Sequence, residues 1–66
     1  MFGILEPQIS EPYNKDKARL KIALISSGFS FTKNGVKAFQ SKYNLPITGI
    51  IDISTAFYIL NPTERN

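Results

Sequence analysis

Five residues hold most of the chemical interest of this 66-residue chain: Gln40, Tyr43, Asn44, Thr48 and Tyr58. The first four crowd one short stretch, where amide, hydroxyl and backbone groups collect beside an aromatic ring. Such a set suits acetamido groups and short peptides, because amides and carbonyls exchange hydrogen bonds with those units while the ring covers a sugar face or a methyl. The other reading is structural, with Gln40 tying down loop backbone and Tyr43 forming a core edge. Tyr58 falls by spacing off the apolar face of its helix and is expected to be exposed. Acid–base and nucleophilic chemistry have less to draw on. The chain has no His and no Cys, which removes the usual general base, the thiolate nucleophile and a Cys/His zinc site. Its carboxylates, Glu6, Glu11, Asp16, Asp52 and Glu64, are scattered. Asp52 alone lies in the motif-bearing stretch; it could act as a base or hold an amino sugar, but its place just before Ile53 favours a helix N-cap. A chain this short also lacks a deep, water-excluding pocket. The sequence predicts a non-enzyme with no catalytic residue, no metal site and no cofactor.

The elements that must position these residues can be read from spacing. Val36, Phe39, Gln40 and Tyr43 fall at i, i+3, i+4 and i+7, which makes one mostly apolar helical face. Asn44 tolerates the left-handed conformation that closes a helix. Leu45 precedes Pro46 and is biased to extended geometry, and Gly49 supplies a permissive turn position. A first helix is expected from Asn14 or Lys15 to Ser27, with Leu20, Ala23, Leu24 and Ser27 inward and Gly28 as its left-handed stop. The second should run from Lys33 to Tyr43 behind Thr32 as N-cap, and Gly35 in its first turn suggests that the first helix passes too close for a methyl group. The third spans Ile53 to Leu60 and is expected to bury Ile53, Ala56, Phe57 and Leu60. Thr32 and Thr55 occupy corresponding places near helix starts, where a hydroxyl can satisfy a free amide. Residues 1–13, with Pro7 and Pro12, read as an extended arm whose Ile4, Leu5 and Ile9 can lie against the core. Residues 14–61 form the helical domain and 62–66 a tail.

Composition sets independent bounds. Sixty-six residues make one domain near the lower size limit for a single hydrophobic core, and without cysteines it must rely on packing. An apolar fraction of 42% with 20% charged residues suits a small globule and not a disordered chain. No run is long enough to cross a bilayer, and Met1 to Pro7 lacks the basic leader and apolar segment of a secretory signal.

The net charge of +3 owes much to Lys15, Lys17, Arg19 and Lys21, which crowd the start of the first helix, where the helix dipole disfavours positive charge. They could draw in carboxylates, anionic polymers, nucleic acid or an acidic protein, or form an ordinary solvated face. Reading of DNA is not expected. A helix-turn-helix joins its helices by about three or four residues, and here Asn44 to Asp52 is longer. The third helix, moreover, carries no Arg, Lys, Asn or Gln to meet base edges.

One set of positions resembles a known family. Leu20 and Leu24, Gly28-Phe29, Thr32, Gly35-Val36, Phe39-Gln40, Leu45-Pro46, Thr48-Gly49, Asp52, Thr55 and Leu60 follow the pattern of the small three-helix peptidoglycan-binding domain. The resemblance covers Leu20 to Leu60, and its second half is the more specific. One departure is a shortened first loop: only Ser30 and Phe31 separate Phe29 from Thr32, where the family usually carries a longer element. At the place of Gly35 the family's residue is also small. The resemblance implies an all-α, compact three-helix bundle that binds cell-wall glycan or stem peptide without catalysis. The expected setting is a small phage virion or bacterial envelope component, synthesised in the cytoplasm, carried to the wall by lysis, a non-standard export route or incorporation into a particle, and placing a larger assembly there. The alternative is a structural adaptor that keeps the fold but binds protein partners, in part through its N-terminal arm. Neither nucleic acid nor membrane insertion is expected.

Overall fold

The computed structural model describes residues 6–65; Ile4 and Leu5, expected near the core, lie outside them. Three helices follow one another: α1 (Lys17–Ser26), α2 (Lys33–Lys42) and α3 (Ile53–Leu60). The structure is an all-α, three-helix domain, as the spacing and the resemblance imply. Short 3-10 turns at Tyr13–Asp16 and Pro62–Glu64 flank the helices. The first helix thus begins later than its periodicity suggests. Asp16 makes no capping hydrogen bond, so the chain winds into α1 through the tighter turn that follows Pro12.

The two helix stops are as expected and share one geometry. Gly28 (φ +95°) and Asn44 (φ +59°) take the left-handed conformation. After α1, the amide of Gly28 donates to the Ile25 carbonyl at 2.9 Å and that of Phe29 to Leu24 at 3.2 Å. After α2, Asn44 donates to Ser41 at 3.3 Å and Leu45 to Gln40 at 2.8 Å. These paired bonds satisfy carbonyls that a helix end leaves free. Thr32 caps α2, its hydroxyl accepting from the Gly35 amide at 3.0 Å, and Asp52 caps α3 by accepting from the Thr55 amide at 3.0 Å.

The core is built from Leu20, Leu24, Phe31, Val36, Phe39, Ile51, Ala56 and Ile59. Expectation and structure agree on α1 and α2 but differ on α3. There the buried residues are Thr55, Ala56 and Ile59, whereas Ile53 and Phe57 are 59% and 40% exposed and Leu60 is half-buried. The sequence of α3 is apolar nearly all round, so periodicity allows more than one inward face. A polar contact makes the choice: the Gln40 amide donates to the Thr55 hydroxyl at 3.0 Å, turning that side inward. Thr55 therefore does not cap a helix as Thr32 does.

The segment read as an arm lies along the linker between α2 and α3. Ile9 faces Ile51 in a single parallel bridge, held by Ser10 donating to the Ile51 carbonyl and the Ile51 amide donating to Gln8, each at 2.9 Å. Pro7 is buried. The Lys17 ammonium pairs with the Glu6 carboxylate, and this hydrogen bond holds Glu6 below the usual carboxylate range.

Gly35 is explained by a different neighbour from the one its spacing suggests. A methyl group placed on it would lie 1.9 Å from the Ser30 carbonyl oxygen and 2.6 Å from the Ser30 hydroxyl. The shortened loop, not helix α1, occupies the space. Alanine normally favours a helix interior over glycine by about 1 kcal/mol, but here the loop backbone would have to move. Gly35→Ala should therefore destabilise the domain by about 1–3 kcal/mol, the usual range for overpacking. Urea denaturation of the two proteins checks the sign.

Candidate functional site

The Gln40 side chain is fully buried and shapes the loop that follows α2. Its Oε1 accepts from the amides of Thr48 at 2.9 Å and Gly49 at 3.0 Å. Its Nε2 donates to the Ile50 carbonyl and the Thr55 hydroxyl, each at 3.0 Å, and to the Thr48 hydroxyl at 3.1 Å. Nothing of this amide is left for a ligand. Of the two readings of Gln40, the structure supports the one in which it ties down loop backbone, and its expected place among the ligand-contacting residues is corrected accordingly.

Three of the other residues come together. Tyr43, Asn44 and Tyr58 line one polar cleft of about 320 Å³ with Lys42, Glu64 and Arg65. Asn44 is exposed at the left-handed corner ending α2. Tyr43 is half-buried, its ring 4.7 Å from that of Phe39. It is thus a core edge on one side and a wall of the cleft on the other. Tyr58 is half-buried rather than exposed and packs against the core, with the Phe57 ring 5.9 Å away. Its departure from the expected exposure follows from the rotation of α3 that turns Thr55 inward.

Arg65 completes this cleft. Its Nε donates to the Tyr58 carbonyl at 2.6 Å and another guanidinium nitrogen to the Ile59 carbonyl at 3.0 Å, which caps the C-terminal end of α3 with a cation where the dipole favours one. The same group lies 5.1 Å from the Phe39 ring centre and 5.5 Å from that of Tyr43. Beside the phenol it holds the Tyr43 pKa below the usual tyrosine range, against the opposing pull of burial, and Lys42 adds to the lowering. Arg65 and Glu64 belong to the segment that reads from sequence as a tail. The available signal was Pro62, which starts a 3-10 turn and folds the chain back.

Thr48 is exposed on a different part of the surface. It borders a hollow of about 300 Å³ with Glu6, Gln8 and Lys33, while its hydroxyl receives the Ile50 amide at 3.2 Å. Asp52 spends Oδ1 on the Thr55 amide and, at 3.3 Å, on the Ser54 hydroxyl. The cleft thus brings together an amide, two tyrosines, a carboxylate and two cations beside the end of α2. That is equipment for holding acetamido, peptide and carboxylate groups through hydrogen bonds and charge. Among the described residues, no helix is long and apolar enough to cross a membrane, and no cluster of acidic side chains could hold a metal ion.

Comparison with known proteins adds one finding. The family model described as "Putative peptidoglycan binding domain" matches residues 18–56, more than half of the chain. Neither a curated protein nor a solved structure matches. The matched region includes Tyr43, Asn44 and Thr48 and stops short of Tyr58 and Arg65.

Proposed function

The chain belongs to the peptidoglycan-binding domain family, and from that premise we propose that it binds wall glycan or stem peptide, without catalysis, through the cleft around Asn44. The observation that carries this reading is the convergence of Asn44, Tyr43, Tyr58 and Arg65 on one polar cleft. An acetamido or peptide group can exchange hydrogen bonds with the Asn44 amide, the rings can cover a methyl or sugar face, and the cations suit the carboxylate of a stem peptide. Gln40 serves as a positioning residue that holds the loop following the cleft. Thr48 contributes to the same loop and borders a separate part of the surface.

In this reading the module works in a small phage virion or bacterial envelope component and sets a larger assembly on the wall. A protein-binding adaptor role is the second reading, favoured by the exposed isoleucines of α1.

The test is co-sedimentation with purified sacculi, stripped of protein and anionic polymers, at low and moderate salt. Retention at moderate salt is expected, since specific polar contacts survive screening better than diffuse attraction. Asn44→Gly is the informative variant: glycine accepts the left-handed corner, so the fold stays intact while the amide is removed. Retention should weaken about fivefold, corresponding to a net hydrogen bond of about 1 kcal/mol. Asn44→Ala would confuse binding with strain, because alanine resists that backbone conformation by about 1–2 kcal/mol. Retention only at low salt would shift the contact to the lysine-rich face, and no retention at either salt would defeat the proposal.

A further inference from the structure

Helix α1 is apolar on two faces. Leu20 and Leu24 fill the core. On the opposite side Ala18, Ile22 and Ile25 follow one another at i, i+4 and i+7, with Ile22 67% and Ile25 52% exposed. That spacing is the seam of a helix–helix contact. The seam is flanked by cations on both sides, Arg19 on one and Lys21 on the other, and Lys17–Ser26 contains no carboxylate. Lys17 is engaged by Glu6, whereas Arg19 and Lys21 are exposed. Hollows open on either side of the ridge. One, of about 290 Å³, lies between Ile22, Ala23, Leu60 and Pro62. The other, of about 410 Å³, is bordered by Lys21, Ile25, Phe29 and Phe31, with Glu6, the partner of Lys17, at its edge.

We propose that this face docks an amphipathic helix of a protein partner whose apolar stripe is flanked on both sides by Asp or Glu. The charge pattern makes the choice of occupant. A second copy presenting the same face would set cation against cation along the seam, a like-charge cost that works against self-pairing. An acidic helix would instead place its carboxylates opposite Arg19 and Lys21, as flanking charges do in paired helices. Shape points the same way: hollows beside a ridge receive the side-chain knobs of a second helix.

The probe is a synthetic three-heptad peptide with Leu along its seam and Glu at the flanking positions, with a Lys-flanked version as control. Titrated into the labelled protein, the Glu-flanked peptide should shift backbone amides along α1. The Ile22→Ser/Ile25→Ser variant, altered only at exposed positions, should keep the fold by circular dichroism and lose at least about tenfold in affinity, the size expected for truncating central anchors. The proposal is overturned if the Glu-flanked peptide does not bind, if the Lys-flanked one binds as well, or if the double variant binds unchanged. It is equally overturned if the unmodified protein self-associates through this face, or if it prefers phosphatidylglycerol vesicles in a way that the variant abolishes. Sacculus retention should be the same in the double variant, so this proposal and the wall-binding one fail independently.

Discussion

Phe39→Ala is expected to unfold the domain in large part at room temperature. The ring is fully buried, meets Phe29 edge-on at 5.3 Å and Tyr43 at 4.7 Å, and carries the Arg65 guanidinium 5.1 Å from its centre. Its removal takes contacts from all of these at once. A buried Phe→Ala change costs about 3–5 kcal/mol. A chain of this length has roughly 3–10 kcal/mol in total, at the usual stability per residue, and no disulfide to fall back on. Thermal melting followed by circular dichroism should show the cooperative transition shifted far down or lost. A variant melting cooperatively within a few degrees of the parent would mean that Phe39 is not central to the core.

Gln40→Leu should cost about 3 kcal/mol or more by a different route. Leucine fills a similar volume, so no cavity drives the loss. What changes is that the Thr48 and Gly49 amides, the Ile50 carbonyl and the Thr55 hydroxyl lose their shared partner. A buried polar group left unsatisfied costs about 1–3 kcal/mol, and some of these groups can recover water at the exposed edge near Thr48. The sum therefore falls below the product of the parts. Denaturant unfolding measures the total, and the amide resonances of Thr48 and Gly49 locate it. Unchanged stability would show that the loop holds itself without Gln40.

Much of this was legible because backbone chemistry is local. Gly28 and Asn44 announce helix ends through the conformation they tolerate, and Thr32 and Asp52 announce helix starts through the oxygen they offer to free amides. The inward face of α3 was not legible, because Ile53, Ala56, Phe57, Ile59 and Leu60 satisfy more than one helical face and the deciding partner, Gln40, lies 15 positions before Thr55. The cleft was half legible. Tyr43 and Asn44 are neighbours in sequence, and Tyr58 was singled out for its spacing, but Arg65 reaches the site only because the chain doubles back after Pro62. Gln40 and Thr48 stand in the same stretch as Tyr43 and Asn44, and the stretch alone leaves Gln40 with both a ligand and a structural reading. Burial withdraws Gln40 from the surface and Thr48 opens onto a separate hollow, and such placement is a property of the packed whole.

Gly35 and the short loop before Thr32 are two halves of one fit. The Ser30 carbonyl sits where a side chain would begin, so this loop path and a side chain at position 35 exclude one another. A side chain at position 35 therefore has to be introduced together with a change in the path of the loop. Any graft of a foreign first loop onto this scaffold should carry its own residue for position 35.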